Sequence, residues 1–462
     1  MIVLLANFQV PQLRPLSVFQ GQLSEKWFFG EEKTLELSDK NKPELIKYKL
    51  SIFDKKLTPK ESKNKQTKNN YCCCFFTPLG REAEWMFNTN EGRKELSKQI
   101  PFRRIIFACA ASNSLNYGNL KDVTDELSQV LGTLYPPGTP GGYSAPIMSV
   151  GAEIGEKILV EAFNDKSEES DENEKENIQI YDFRPNKDSP WTRRMVFGEK
   201  SPIIQSEVRL LTNKKSKKPN DRTPDNKSLY GEYYLGVISS ILTVSQITER
   251  KPKILVLGVG GGCLISHLDE IIKGCAITGV EISKNVIELA RKYFGLKVDN
   301  IIEEDALTWL ANQNTVECSK YDIIILDINS FDPSDSLVCP ARPFITKEIV
   351  QKYKSLLKDT ESIFITNVLS RASKDFEAVM NLLKDQFEQA DSLGMANGSE
   401  FNRVVTCRME AKHKRDVSVT VEENLANLKN YEHAEDVTSS YQESWYVFLC
   451  KNISLEPDLK IH

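Results

Sequence analysis

The sequence predicts an α/β fold built on an open, mainly parallel sheet. Three observations predict it. The apolar run Lys253-Ile-Leu-Val-Leu257 ends in a glycine loop, Gly258-Val-Gly-Gly-Gly262. Two later apolar runs, Ala276-Ile-Thr-Gly-Val280 and Asp322-Ile-Ile-Ile-Leu326, end at the acids Glu281 and Asp327. Segments of helical period separate these runs. Apolar residues on consecutive positions suit strands covered on both faces, as in a parallel sheet.

Before that core the chain is harder to read. Tyr48-Lys-Leu-Ser-Ile-Phe53 alternates like a half-buried strand. Lys55 to Asn70 reads as a polar loop, and Tyr71-Cys-Cys-Cys-Phe-Phe76 as a second strand, so the two are expected to form a hairpin. The three cysteines are expected to pack as small hydrophobes. Phe102 to Cys109 is a further strand and Asp122 to Leu134 a helix. Pro136-Pro-Gly-Thr-Pro-Gly-Gly142 is a loop. The acidic stretch from Asp165 to Glu176 reads as a solvated linker.

Strands at 180–183, 193–197 and 203–207 precede the core. Asn213 to Lys227 is a basic loop. Tyr230 to Thr243 is helical by spacing and is expected to pack in the core, with an edge of a pocket as the other reading for Tyr233 and Tyr234. Glycines in the loop let the backbone approach a ligand, because no Cβ intervenes. The helix Cys263 to Ile272 turns its free N–H groups toward that loop. Glu281 lies 23 residues after Gly258, where such folds place a ribose-binding acid. Ser283 is the expected N-cap of the next helix, and Gly295 its stop. Asn300 to Asp305 is the third strand and Tyr321 to Asp327 the fourth. A polar loop runs from Asp332 to Arg342, followed by a helix at 346–357, a fifth strand at 361–367 and a helix at 374–387. Phe401 to Cys407 and Trp445 to Cys450 are expected as late antiparallel strands. Ligands in open α/β sheets bind beyond the carboxyl ends of the strands, so the loop, Glu281, Asp305 and Asp327 share one crevice.

The loop lacks Gly-x-x-x-x-Gly-Lys-Ser/Thr and also the Gly-x-Gly-x-x-Gly spacing that seats a pyrophosphate. It resembles instead the S-adenosylmethionine loop of Rossmann-like class I methyltransferases. The Gly-Gly-Gly run, Asp327-Ile-Asn-Ser-Phe-Asp-Pro333 and Gln205-Ser-Glu207 resemble the spermidine-synthase-like branch of these enzymes. Arg193-Arg-Met-Val-Phe197, Gln205-Ser-Glu-Val-Arg-Leu210 and Cys339-Pro340 are most similar to the C-terminal domain of the elongation factor 1-alpha lysine and N-terminal methyltransferases. Leu79 to Phe87 and Glu91 to Lys94 resemble that family's central region. The resemblance implies S-adenosylmethionine as cofactor. Gly258, Gly260, Gly261 and Gly262 would pass its amino-acid part, and Glu281 with Ile282 would hold the ribose. Asp305 with Ala306 would meet the adenine. Asp327, with Asn329 or Asp332 nearby, would face the sulfonium and an incoming amine. It further implies three segments: 1–110, the remnant of a first methyltransferase domain; 111–177, a connecting region with the linker 165–176; and 178–455, the methyltransferase domain with a β-hairpin extension before its sheet.

Composition narrows the function. The 462 residues carry a formal net charge of −5, which gives no case for nucleic acid as an obligatory partner. With 4 histidines, 10 cysteines and no Cys-x-x-Cys, no metal site is expected. No apolar run reaches the roughly 20 residues that span a bilayer, and the start lacks a basic signal region, so a cytoplasmic protein is expected. The resemblance implies elongation factor 1-alpha as protein substrate, with a homodimer also open. Two other readings are an aminopropyltransferase making polyamine and a catalytically silent interaction protein. The aminopropyltransferases' Gly-Gly-Gly-Asp-Gly continues here as Gly260-Gly-Gly-Cys-Leu264, which speaks against polyamine synthesis.

Overall fold

The computed structural model describes residues 13–15, 26–39, 41–65, 70–77, 90–111, 120–149, 156–164, 177–185, 188–197, 203–212, 222–227, 232–247, 249–313, 320–330, 332, 335–394, 402–412 and 420. Two compact units divide the chain: Met1–Pro190 with Val196–Ile204, and Trp191–Met195 with Gln205–His462.

The first unit holds a six-stranded sheet. Its strands are β1 (Leu13–Pro15), β2 (Glu32–Asp39), β3 (Ile46–Asp54), β4 (Cys72–Thr77), β5 (Arg104–Ala110) and β6 (Ile147–Ser149), in the order β1-β2-β3-β5-β4-β6. The expected hairpin of residues 48–53 with 71–76 is corrected. β3 pairs antiparallel with β2 and with β5, and β4 runs parallel to β5 and β6. The polar run 55–70 is thus not a hairpin loop. It contains α1 (Pro59–Lys63), started by a capping box between Thr58 and Glu61.

Strand period sorts the cysteines. Cys72 and Cys74 face a core with Leu35, Tyr48, Val123 and Leu127; Cys73 faces the opposite core with Ile105, Phe107 and Leu96. All three are fully buried, as expected for packing residues, and burial pushes their thiols far above the ordinary range. Helix α2 (Asn90–Gln99) joins β4 to β5 and covers one face; α3 (Leu120–Leu131) covers the other. Residues 120–149, expected as part of a connection, therefore complete this sheet and its core. The same unit contains the antiparallel pair β7 (Glu156–Asn164) and β8 (Asn177–Arg184).

β9 (Thr192–Phe197), β10 (Ile203–Thr212) and β11 (Arg222–Pro224) follow, with β10 and β11 antiparallel. Helix α4 (Glu232–Ile241) then leads to the second sheet. Its strands are β12 (Lys253–Leu257), β13 (Ala276–Glu281), β14 (Ile301–Glu303), β15 (Ile323–Leu326), β16 (Leu337–Cys339), β17 (Ile363–Ser370), β18 (Gln389–Gly394) and β19 (Asn402–Arg408). The order is β14-β13-β12-β15-β17-β19-β18, with β16 beside β17. β14, β13, β12, β15 and β17 run parallel, β16 is antiparallel to β17, and β19 lies antiparallel between β17 and β18. Counted from β12 and leaving out β16, that is 3-2-1-4-5-7-6, the class I methyltransferase sheet.

Helices α5 (Cys263–Ile271), α6 (Lys284–Tyr293), α7 (Ala306–Asn312), α8 (Lys347–Leu356) and α9 (Ser373–Gln386) connect the strands. Leu255, Leu257, Ile324, Leu326 and Phe364 are fully buried and pack with Trp309, Tyr353 and Leu383 from the helices. Ser283 caps α6 by accepting from the Val286 nitrogen at 3.2 Å, a contact worth about 1 kcal/mol. Of the expected late antiparallel strands, β19 is present; it pairs with β17 and with β18, a strand with no apolar alternation. Residues 445–450 lie outside the described residues. So do the acidic linker 165–176, most of the basic loop (213–221), 79–87, the first seven residues and Tyr230. Among the described residues no helix is long and apolar enough to cross a membrane.

Candidate active site

The chain changes direction at β12. β13 and β14 lie on one side and β15 and β17 on the other, so their carboxyl ends open a crevice there. The glycine loop forms its floor. Gly258, Gly260 and Gly262 have φ of 87°, 52° and 70°, a region that side chains disfavour. Gly258 is required twice over, because a Cβ there would stand 2.2 Å from the Asp327 carbonyl oxygen. A Cβ on Gly260 or Gly261 would meet the Ser206 hydroxyl at 2.9 Å.

The loop's N–H groups are already spoken for. Val259 and Gly260 donate to Glu281 Oε2 at 3.1 and 3.0 Å, and Gly261 donates to Ser206 Oγ at 2.7 Å. A pyrophosphate needs such donors free. These three are taken by the protein's own oxygens, so the loop is not a phosphate cradle. Glu281 Oε1 also accepts from the Ser283 nitrogen at 3.2 Å. A carboxylate offers about four acceptor positions, so Glu281 keeps capacity for a hydroxyl donor. Burial raises its carboxyl above the usual range, and the backbone N–H groups of Gly260, Ser283, Val259 and Ile282 oppose the rise. Ile282, the next residue, is 57% exposed and gives an apolar surface suited to a flat ring.

Asp305 sits at the end of β14. Its Oδ2 accepts from the Thr308 nitrogen at 2.8 Å and the Thr308 hydroxyl at 3.0 Å, which makes it the N-cap of α7. Ala306 follows it, buried.

Asp327 is the centre of the crevice's other half. Its Oδ2 accepts from the Tyr233 phenol at 2.9 Å. Its Oδ1 faces Asn367 Nδ2 at 3.4 Å and the Cys339 thiol at 3.6 Å. Burial raises the Asp327 carboxyl, and hydrogen bonds from Tyr233, Asn367 and Cys339 hold it down. Tyr233 stacks near Tyr234, ring centroids 4.0 Å apart, and burial pushes both phenols well up. Asn329 joins this half through Gln205, its Nδ2 donating to Gln205 Oε1 at 3.1 Å. Asp332 stands apart: it is exposed, and its nitrogen donates to the Ser330 hydroxyl.

Two residues to which the sequence assigned no role belong here. Ser206 is buried against the loop. Asn367 is 6% exposed, and its Oδ1 has no hydrogen-bond partner among the described residues. The one signal for Asn367 was a polar residue inside the apolar strand Ile363-Phe-Ile-Thr-Asn-Val-Leu369.

Sheet order and crevice together define a Rossmann-like α/β domain of the class I type, with the loop N–H groups of Val259, Gly260 and Gly261 held by the protein's own oxygens. Comparison with known proteins gives particular relatives. The Xenopus laevis eEF1A lysine and N-terminal methyltransferase is 28% identical over 386 residues, 78% of this chain and 54% of that protein. The Homo sapiens protein of the same name is 28% identical over 381 residues, 76% of this chain and 52% of that one. A probable polyamine aminopropyl transferase from Bifidobacterium longum is 23% identical over 227 residues, 49% of this chain and 48% of that protein. The chain thus spans about half the length of the curated relatives it matches. No protein-family model matches it. Among solved structures, human Methyltransferase-like protein 13 in complex with SAH aligns over 45% of this chain and 99% of that one, at 22% identity and TM-score 0.40. A probable spermidine synthase from Corynebacterium glutamicum aligns over 59% of this chain and 95% of that one, at 13% identity and TM-score 0.43.

Proposed function

We propose that the chain is an S-adenosylmethionine-dependent protein N-methyltransferase whose acceptor is the N-terminal amine of elongation factor 1-alpha. The observation that carries this reading is the pairing of a phosphate-free loop with two acceptors at one point. Loop donors are satisfied by Glu281 and Ser206, while Asp327 and the unpartnered Oδ1 of Asn367 lie within one hydrogen-bond cluster. The similarity to the Xenopus laevis and Homo sapiens eEF1A lysine and N-terminal methyltransferases supports both the reaction and the substrate.

The residues present fit such a cofactor: Glu281 for a diol, Ile282 for a base, and glycines where side chains would intrude. When bound, S-adenosylmethionine supplies an electrophilic methyl group. The chain's own contribution is to hold and orient the amine. Asp327 accepts one N–H, Asn367 Oδ1 a second, and the nitrogen lone pair is left to point along the line of attack. Tyr233 fixes the carboxylate by its phenol. An α-amine, with a pKa of about 7.7–8.0, reaches the neutral form far more readily than a lysine at about 10.4. Asn329 through Gln205 steadies the same wall, and Asp332 is assigned to the outer, acceptor-facing loop. A cytoplasmic setting and a homodimer are part of the same proposal.

The test is direct. The full chain is incubated with radiolabelled S-adenosylmethionine and elongation factor 1-alpha carrying a free or an acetylated N-terminus. Label entering only the free form supports the reading; no label in either, with folded protein, contradicts it. The Bifidobacterium longum relative favours a second reading, aminopropyl transfer. It requires product from putrescine and the decarboxylated donor.

A further inference from the structure

We propose that Cys339 is a positioning residue: its thiol, set against Asp327 Oδ1, holds the acceptor-binding carboxylate in place while leaving it a strong hydrogen-bond acceptor. The inference rests on the methyl-transfer reading for the job of Asp327, and on geometry for the job of Cys339.

The geometry begins with the backbone. After Asp327 the chain leaves the sheet and returns as β16, which lies antiparallel to β17 with Cys339 opposite Leu369. Two hydrogen bonds latch the returning strand to the segment behind Asp327. The Ser330 nitrogen donates to the Val338 oxygen at 2.7 Å, and the Ala341 nitrogen to the Ile328 oxygen at 2.9 Å. Cys339 sits between these latches with 0% exposure. Its sulfur therefore has one fixed place, 3.6 Å from Asp327 Oδ1.

The groups facing Asp327 decide what that contact does. Tyr233 comes from α4, Cys339 from β16 and Asn367 from β17, with Tyr234 beside Tyr233. Among the described residues no lysine or arginine pairs with Asp327. The carboxylate is thus held by neutral donors alone. A thiol is the weakest of the three. It restrains Oδ1 against rotation and withdraws less charge from it than a hydroxyl would. A hydroxyl in its place would bind the oxygen more strongly and leave less for the amine. Burial keeps the Cys339 thiol well above its ordinary range, so it stays protonated and donates. Nucleophilic or redox chemistry is not the use of this sulfur.

The experiment reads the carboxyl itself and needs no cofactor. The full chain is prepared with 13C-carboxyl aspartate, and the Asp327 signal is assigned by its loss in Asp327→Asn. Its titration midpoint is compared in the parent, Cys339→Ala and Cys339→Ser. Removing a donor to the charged form raises the midpoint, so Cys339→Ala titrates higher by about half a pH unit or more. Cys339→Ser, which restores a donor, titrates no higher than the parent. A midpoint unchanged in Cys339→Ala, or one in Cys339→Ser that rises with it, overturns the proposal. In the parent, the S–H stretch assigned to Cys339 by its loss in Cys339→Ser shifts on Asp327→Asn. That reading stands even where Cys339→Ala does not fold, and a stretch that does not move overturns the proposal too. The parent's methylation is assayed alongside. Shifted midpoints without methyl transfer retain the contact and sink the proposed function; methyl transfer with unmoved midpoints does the reverse.

Discussion

Gly258 and Asp327 touch through their backbones: a single methyl group on Gly258 would lie 2.2 Å from the Asp327 carbonyl oxygen. The bend that opens the glycine loop and the strand end that carries Asp327 are therefore one construction. Gly258→Ala strains a φ of 87°, at a cost of about 1–3 kcal/mol, and also pushes on Asp327. The expected result is a lowered melting temperature together with lost S-adenosylmethionine binding, checked by thermal unfolding and calorimetry.

Ser206 satisfies the Gly261 N–H from outside the loop. Ser206→Ala leaves that buried donor unpaired, which costs about 1–3 kcal/mol. Thermal unfolding should register the loss. Equal stability of parent and variant would show that the loop does not depend on Ser206.

Asp327 shapes stability as well as reactivity. Burial raises its folded-state carboxyl above the unfolded value of about 3.9. The folded protein then holds that proton more tightly than the unfolded chain. The favourable contribution is present below the unfolded value and is lost as pH rises through the folded one. At neutral pH the ionised Asp327 is thus a net cost. Asp327→Asn should melt higher than the parent at pH 7, with the gap closing as pH falls toward about 4. The same variant should lose methyl transfer by about a hundredfold or more. Melting curves across pH and initial rates check the two halves.

Asn367 can separate the proposed acceptor half of the crevice from the cofactor half. In the proposed function Asn367→Ala removes one of two acceptors for the amine, so the KM for the protein substrate should rise about tenfold, equivalent to about 1.4 kcal/mol. Binding of S-adenosylmethionine should be unchanged. A matching loss of cofactor affinity would place Asn367 in the wrong half of the crevice.

Legibility from sequence followed a physical rule. β12, β13 and β15 were readable because strands buried on both faces must be apolar throughout, and their ends were marked by Gly258, Glu281 and Asp327. Ser283 and the cap it makes were readable for the same local reason. Asp305 was half legible: its place at a strand end was visible, but its use as the cap of α7 depends on Thr308 turning back toward it. β18, Gln389–Gly394, is an edge strand with no fully buried residue, so no alternation marks it. The pairing of β3 with β2 and β5 was hidden because β-partners are chosen by the whole sheet, not by neighbours in sequence. The contacts of Asn367 and Cys339 with Asp327 were hidden likewise. A polar residue or a thiol in a strand looks the same whether it faces a neighbour or Asp327.

The central claim is a phosphate-free nucleoside site at the carboxyl end of β12. Titration of S-adenosylmethionine into the folded full chain, followed by calorimetry, tests it most directly. Saturable heat at one site per chain, absent in Gly258→Ala and not produced by a nucleoside triphosphate, is the predicted result. No heat from S-adenosylmethionine with protein shown to be folded would contradict it.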